Sequence, residues 1–267
     1  MHPDFITGGA LIGLLVGILV GLTGIGGGLL LVPLLISVLG VSPLVAVGSD
    51  AVISCFTKLG AGGLHWYHGN VRWRLVLRLA CGSLPGAVLG VLVLKHVRGA
   101  YGSAVNDFLR LSVGVLLVVI PISYLAQQCF RTANPPSDVP PRTRNEVGIM
   151  IIGLVAGFLV GVTSIGAGSV ILMMLMILCR ISPAATVGTD VVHGVLLAGV
   201  TGFLQFKLLE NVDLLLVASV LAGSIPGSIL GVHLTKGLSE AALKPILCTL
   251  IVLLGARMLW GFYLHAN

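Results

Sequence analysis

The apolar run at the start of the chain constrains the fold more than any other feature. Residues 5–39 contain no Asp, Glu, Lys or Arg, which is a composition suited to lipid. One helix of that length would extend about 50 Å, whereas the hydrocarbon core of a bilayer is about 30 Å thick. The sequence TGIGGG at 23–28 places four glycines inside this run. We therefore predict a membrane segment that is broken or re-entrant at these glycines.

The composition of the whole chain is that of a polytopic membrane protein. Hydrophobic residues make up 57% of the chain and charged residues 9%, far from the values of soluble domains. The apolar stretches are continuous rather than alternating, which favours helices over a barrel. Eight such stretches occur, near 5–39, 43–66, 73–95, 105–128, 146–179, 183–206, 212–235 and 241–264. We expect an all-α fold.

The second half of the chain repeats the first. Three blocks recur in the same order, and each pair shares several identical residues. The pairs are GILVGLTGIGGGLLLVP (17–33) with GFLVGVTSIGAGSVILM (157–173), SPLVAVGSDAV (42–52) with SPAATVGTDVV (182–192), and NVRWRLVLRLACGSLPGAVLG (70–90) with NVDLLLVASVLAGSIPGSILG (211–231). The chain therefore contains two homologous repeats of about four apolar segments each, with the first segment of each repeat broken or re-entrant.

Loop charges favour opposite orientations for the two repeats. If segments one and five each crossed once, the basic residues would divide almost evenly between the two sides. If each segment enters and returns, one side holds Arg72, Arg74, Arg78, Arg131, Arg142, Arg144, Arg180, Lys236 and Lys244, and the other holds Lys95, Arg98, Arg110 and Lys207. That asymmetry fits the positive charge of cytoplasmic loops. We predict inverted-topology repeats at 1–130 and 146–267, a cytoplasmic linker at 131–145, and both termini outside.

The glycine-rich breaks are the candidate substrate site. A helix that begins after a break presents free N–H groups and the positive end of its dipole, and both attract anions. Broken helices of inverted repeats form the binding sites of secondary transporters. The candidate ligands are Thr23, Gly24, Gly26, Gly27, Gly28, Thr163, Ser164, Gly166, Gly168 and Ser169.

Other glycines are spaced four apart along the chain, which indicates faces where helices pack closely. These glycines are Gly13, Gly17, Gly21, Gly82, Gly86, Gly90, Gly153, Gly157, Gly161, Gly223, Gly227 and Gly231. A structural role is the interpretation we give to this set.

Asp50 and Asp190 occupy equivalent positions in the two repeats. Each follows a Ser-Pro helix start by about eight residues, or roughly 12 Å of helix. A carboxylate at that depth in a membrane is costly, which suggests a proton relay or a cation ligand. The alternative is a structural carboxylate that binds the backbone of a neighbouring break. The residues assigned to coupling or to loop orientation are Ser49, Asp50, Thr189, Asp190 and His193.

Two residues without a counterpart in the other repeat carry further hypotheses. Lys58 follows Asp50 by two turns and is a candidate for attracting an anion; snorkelling or pairing with a carboxylate is the alternative. His193 is a candidate for proton transfer, against the alternative of a buried core histidine. No HExxH, GxSxG or paired Cys/His set occurs, so the sequence predicts no enzyme, no catalytic residue, no metal and no cofactor.

The combination of motifs resembles a known family. The glycine-rich breaks, the SP…VG(S/T)D helix starts and the GS(L/I)PG blocks resemble the sulfite exporter TauE/SafE family of integral membrane transporters. The resemblance covers nearly the whole chain and implies transport of sulfite, sulfoacetate or another organosulfonate across the cytoplasmic membrane. We interpret the chain as a secondary transporter that works by alternating access, with an anion channel as the alternative.

The expected partners follow from this interpretation. They are a small anionic substrate, the lipid bilayer and a coupling proton or sodium ion. The net charge of +6 does not indicate nucleic acid, because the basic residues cluster in short loops between apolar segments. The sequence leaves a homodimer open.

Overall fold

The described part of the chain consists of helices and the short connections between them. The computed structural model describes residues 3–23, 28–130, 146–165, 171, 183–234 and 240–266, and no β-strand occurs within these ranges. The helices are α1 (Pro3–Thr23), α2 (Gly28–Ser37), α3 (Pro43–Tyr67), α4 (Trp73–Tyr101), α5 (Val105–Phe130), α6 (Glu146–Thr163), α7 (Pro183–Leu204), α8 (Leu214–Leu234) and α9 (Glu240–Ala266). The predicted all-α class is confirmed.

Several helices have the length and composition of membrane spans. Within the described residues, five stretches are long and apolar enough to cross a membrane: Pro43–Tyr67, Trp73–Ser123, Glu146–Thr163, Ala185–Leu209 and Leu214–Gly231. The turn Gly102–Ala104 divides the second stretch into α4 and α5. These spans confirm a multi-pass membrane protein.

The first apolar segment doubles back on itself. Helix α1 ends at Thr23 and α2 begins at Gly28, while residues 24–27 lie outside the described residues. A Cβ added to Gly8, near the start of α1, would lie 2.7 Å from the side chain of Leu39, just beyond α2. The chain has therefore returned to the level at which α1 began, and α2 is a short helix of 10 residues.

In the equivalent segment of the second repeat, helical geometry also ends at the predicted break. Helix α6 ends at Thr163, and Ser164 has a φ of 59°, which is a left-handed conformation that an α-helix of L-residues does not continue through. Helix α7 begins at Pro183. Apart from Ile171, residues 166–182 lie outside the described residues.

Each repeat packs its first helix against the other repeat. The most extensive contacts join α1 to α8 and α4 to α6. Glycine faces make these contacts close: a Cβ on Gly13 would meet the backbone of Val220 and Ser224, and one on Gly157 would meet the backbone of Ser83. The packing role predicted for glycines spaced four apart is confirmed at these positions.

Equivalent helices of the two repeats run antiparallel where they touch. In the contact of α3 with α7, Val52 lies beside Gly202 and Lys58 lies beside Gly194. Residue numbers therefore increase along one helix in the direction in which they decrease along the other. Helices α5 and α9 meet in the same antiparallel sense. By contrast, helices α1 and α8 run parallel to each other where they touch, and so do helices α4 and α6.

Candidate functional site

Asp50 lies where the two breaks come together. Helix α3 begins at Pro43, and Asp50, two turns further on, has no exposed surface. Ser164, the first residue after α6, donates its hydroxyl to Asp50 Oδ2 at 2.7 Å. Gly28, the first residue of α2, is so close that an added Cβ would lie 2.9 Å from the same oxygen. One carboxylate therefore contacts both repeats at the ends of their breaks.

Ser164 reaches Asp50 because its backbone leaves helical geometry. Its positive φ is rare for a residue with a side chain. Thr163 stabilises the turn, since its Oγ1 accepts the N–H of Ile165 at 3.2 Å and also donates to a carbonyl one turn back in α6 at 2.7 Å. Unusual backbone of this kind clusters at ligand sites, where surrounding contacts hold it in place.

The second oxygen of the Asp50 carboxylate, Oδ1, is buried and accepts no hydrogen bond of normal geometry among the described residues, although the Ser54 side chain, one turn along α3, lies near the carboxylate. A carboxylate that is buried without compensation costs several kcal/mol. Asp50 therefore requires a proton, a cation or further donors on this oxygen. The junction formed by Gly28, Asp50, Thr163 and Ser164 is the part of the site that the structure describes, and we refer to it as the break junction.

Asp190 has different surroundings from its repeat mate. It is 4% exposed, and its Oδ1 also has no partner among the described residues. His193, one turn further along α7, is fully buried, and its Nε2 forms a 2.7 Å hydrogen bond with Ser83 Oγ of α4. The first repeat has Ile53 in place of the histidine, so this bond has no counterpart there.

Lys58 lies between the two carboxylates. It follows Asp50 by eight residues, about 12 Å along α3, whereas its Nζ packs against Gly194, one turn after Asp190. A Cβ on Gly194 would lie 2.8 Å from that nitrogen. The positive charge attracts both carboxylates, although Lys58 forms no direct ion pair within the described part of the chain.

Ser49 and Thr189 hold the starts of two helices. The backbone N–H of Asp213 donates to Ser49 Oγ at 3.1 Å, and the backbone N–H of Arg72 donates to Thr189 Oγ1 at 3.1 Å. These bonds are equivalent under the repeat and order the chain before α8 and α4. Their contacts are those of residues that orient loops.

A buried amide network near the break of α6 was not predicted from the sequence. Asn211 donates to the carbonyl of Leu44 at 2.8 Å and to Gln205 Oε1 at 2.7 Å. Gln205 in turn donates to the carbonyl of Gly161 at 3.2 Å, three residues before Ser164. The available signal was a glutamine inside an apolar segment, where an amide needs partners.

The remaining predicted ligands can be placed only in part. Thr23 is the last residue of α1. Six predicted ligands lie outside the described residues: Gly24, Gly26, Gly27, Gly166, Gly168 and Ser169. The break junction thus contains three of the predicted substrate ligands, Gly28, Thr163 and Ser164, together with Asp50.

The chemistry that this junction offers is the reversible binding of a proton or a small ion. Hydroxyl groups, a carboxylate and the backbone at two helix ends converge there. In the ranges that the structure describes, no three His, Cys, Asp or Glu side chains are grouped as a metal site would need.

Comparison with known proteins places these features in a family. A family model described as sulfite exporter TauE/SafE matches residues 9–258. The chain is 37% identical over 251 residues to the probable membrane transporter protein YjnA of Bacillus subtilis, covering 93% of this chain and 98% of that protein. It is 25% identical to the probable membrane transporter protein YunE of the same organism and 24% identical to MJ0441 of Methanocaldococcus jannaschii. These two matches cover 93% of this chain and 95% and 93% of the respective relatives. No solved structure matches the chain significantly.

Proposed function

The chain belongs to the sulfite exporter TauE/SafE family of membrane transporters, and from this premise we propose that it is a secondary transporter. Its substrate in this proposal is a small sulfur-containing anion, namely sulfite, sulfoacetate or another organosulfonate. The anion crosses the cytoplasmic membrane by alternating access. The observation that carries the proposal is the break junction, where Asp50 contacts Ser164 of one break and Gly28 of the other.

The proposed substrate site lies between the two breaks. A sulfonate or sulfite group has several acceptor oxygens, which the N–H groups and hydroxyls of opposed helix ends can satisfy. The proposed ligands are the predicted set, Thr23, Gly24, Gly26, Gly27, Gly28, Thr163, Ser164, Gly166, Gly168 and Ser169. Lys58 would add a positive charge that draws the anion toward the site.

Inverted repeats are the proposed basis of alternating access. The antiparallel contacts of α3 with α7 and of α5 with α9 support this topology, because repeats of the same orientation would place equivalent helices parallel. The return of the chain from α1 through α2 to Leu39 supports it as well. In this topology, the repeats at 1–130 and 146–267 are joined by a cytoplasmic linker at 131–145, and both termini lie outside.

Transport into sealed proteoliposomes tests the proposal. Labelled sulfite, sulfoacetate, taurine and sulfate are each offered under an imposed proton or sodium gradient. We expect saturable accumulation of at least one sulfur anion against its concentration gradient, and exchange when the unlabelled anion is trapped inside. Flux that neither saturates nor responds to a gradient would instead identify an anion channel.

Substitution in the breaks tests the site. Gly26→Leu and Gly166→Leu should each abolish transport, because both glycines are predicted substrate ligands and leucine adds a large apolar side chain at each. Gly99→Leu is the control, since a Cβ at Gly99 meets no atom within 4 Å. The same elution volume in size-exclusion chromatography would show that the variants are folded, and full flux in both break variants would refute the site.

A further inference from the structure

We propose that Asp50 is the site of a coupling proton, and that the proton and the anion cross the membrane together. This inference rests on the proposed function and deepens it, because it distinguishes the two carboxylates that the repeat makes equivalent. Asp50, which contacts both breaks, carries the exchangeable proton, whereas no hydrogen bond joins Asp190 to a break among the described residues.

Lys58 forms an ion pair with neither carboxylate within the described residues. The ammonium group of Lys58 lies against Gly194, one turn from Asp190. The backbone of Lys58 is in α3, two turns after Asp50. The second repeat has Ala198 in place of Lys58, so no lysine of α7 compensates Asp50. Asp50 is fully buried and keeps one oxygen, Oδ1, without a partner among the described residues. A proton taken from solution would satisfy that oxygen.

A proton suits this oxygen better than a metal cation. Cations such as Mg²⁺ or Ca²⁺ need about six or more oxygen ligands, whereas a proton needs one. Within the described residues of the break junction, Asp50 Oδ1 is the one side-chain oxygen without a partner. In the proposed cycle, Oδ1 takes a proton from water on one side of the membrane and returns it to water on the other, and no other bond changes.

Charged groups on the helices around α3 do not replace this proton. Helix α7 contributes Asp190 and His193, Asp213 precedes α8, Arg110 lies on α5, and α2 contains no titratable side chain. None of these groups forms an ion pair with Asp50 within the described residues.

Contact of Asp50 with both breaks couples the proton to the anion. An anion held by the helix ends would lie within several ångströms of this carboxylate, and repulsion between two negative charges at about 5 Å weakens binding on the order of a hundredfold. Protonation of Asp50 removes that repulsion. Because coupling between two ligands is reciprocal, bound anion raises the affinity for the proton by the same factor. The two ligands therefore bind together and move in the same direction.

The test uses the purified full-length protein in lipid nanodiscs, with labelled sulfoacetate as the probe, because its two acidic groups stay ionised between about pH 6 and pH 8. We expect the wild-type affinity for sulfoacetate to fall by up to about tenfold for each unit by which the pH is raised, as linkage to one proton requires. Asp50→Asn should bind the probe with no pH dependence. Asp190→Asn, the matched change in the other repeat, should retain the pH dependence even where its affinity is lower.

Proteoliposomes supply the second readout. Asp50→Asn should lose accumulation of sulfoacetate driven by a proton gradient, whether or not its exchange of external for internal sulfoacetate is slower. Accumulation driven by sodium alone, or pH dependence that survives in Asp50→Asn, would overturn the inference while leaving the proposed function intact. If Asp50→Asn does not fold, a pH dye can report proton uptake when wild-type protein binds sulfoacetate, and no uptake would also overturn it. Absence of exchange of all four compounds by wild type would overturn the proposed function and the inference together.

Discussion

The surroundings of Asp50 and Asp190 agree in their scaffold and differ in their polar contacts. Each aspartate follows a hydroxyl residue, Ser49 or Thr189, that accepts the backbone N–H at the start of a helix in the other repeat. The carboxylates themselves have different neighbours. Asp50 accepts a hydrogen bond from Ser164 at the break. Asp190 lies one turn from Gly194, which packs against the ammonium group of Lys58. The position equivalent to Lys58 on α7 is Ala198, which carries no charge.

The comparison of the two aspartates shows which contacts are common to both repeats and which occur in one of them. Contacts that join backbone to backbone, or a side chain to a helix start, occur in both copies because both copies must form the same bundle. Contacts such as that of His193 with Ser83, and the charge of Lys58, occur in one copy. We infer that the paired contacts build the scaffold, whereas the unpaired ones distinguish the two repeats. The predictions below break or sharpen this comparison in order of decreasing effect.

The largest effect is expected where helices α4 and α6, or α1 and α8, touch through glycine. A Cβ on Gly157 would lie 2.6 Å from Ser83 Cα, and one on Gly17 would lie 2.9 Å from Ser224 Cα. Because backbone atoms cannot move aside, Gly157→Leu and Gly17→Leu should each lower the free energy of unfolding by more than about 3 kcal/mol. Unfolding in SDS, followed by tryptophan fluorescence, measures both.

Equal losses in these two variants would support the paired scaffold. Gly99→Leu again serves as the control, because the space around Gly99 is open and no loss of stability is expected there, since leucine forms a helix more readily than glycine. A loss confined to one of the two interfaces would show that the repeats do not contribute equally to the bundle.

The hydrogen bond of His193 with Ser83 is expected to have the next largest effect. His193→Ile introduces the residue of the first repeat and leaves Ser83 Oγ without its 2.7 Å partner. We expect a loss of about 1–2 kcal/mol, the upper range for interhelical hydrogen bonds in membrane proteins.

A double-mutant cycle with Ser83→Ala measures this hydrogen bond. The double variant should be hardly less stable than either single variant. Additive losses would mean that the two side chains stabilise the bundle independently.

Which of these features can be read from the sequence depends on how local their signal is. The break at Gly28, the depth of Asp50 and the glycine faces are visible because they rest on composition and regular spacing. The contact of Ser164 with Asp50 is not visible, since its partners lie 114 positions apart and many polar residues could occupy the same place. The same holds for the bond between His193 and Ser83, at a separation of 110 positions. The repeat identifies equivalent positions but gives no account of the contacts that only one copy makes.

A smaller, symmetric effect is expected from the hydroxyls that hold the helix starts. Ser49→Ala and Thr189→Val each remove the acceptor for one backbone N–H at 3.1 Å. We expect losses near 0.6 kcal/mol, the average for such bonds in membrane proteins, and we expect the two values to agree. Thermal unfolding in detergent, with both variants prepared side by side, would detect a difference; a clearly larger loss in one variant would contradict the equivalence of these bonds.

The smallest effect is expected from an ion pair that only one interface contains. Arg78 of α4 pairs with Glu146 at the start of α6, and the glutamate is 57% exposed. The equivalent positions in the contact of α1 with α8 are Ser219 and Ile6, which cannot form an ion pair. A cycle of Arg78→Gln and Glu146→Gln should give a coupling energy below about 0.5 kcal/mol, because water screens an exposed pair. The coupling should also decrease as salt is added. A value above about 1 kcal/mol would mean that α4 and α6 are held by charge to a degree that α1 and α8 are not, and the glycine faces would no longer suffice to explain how both interfaces form.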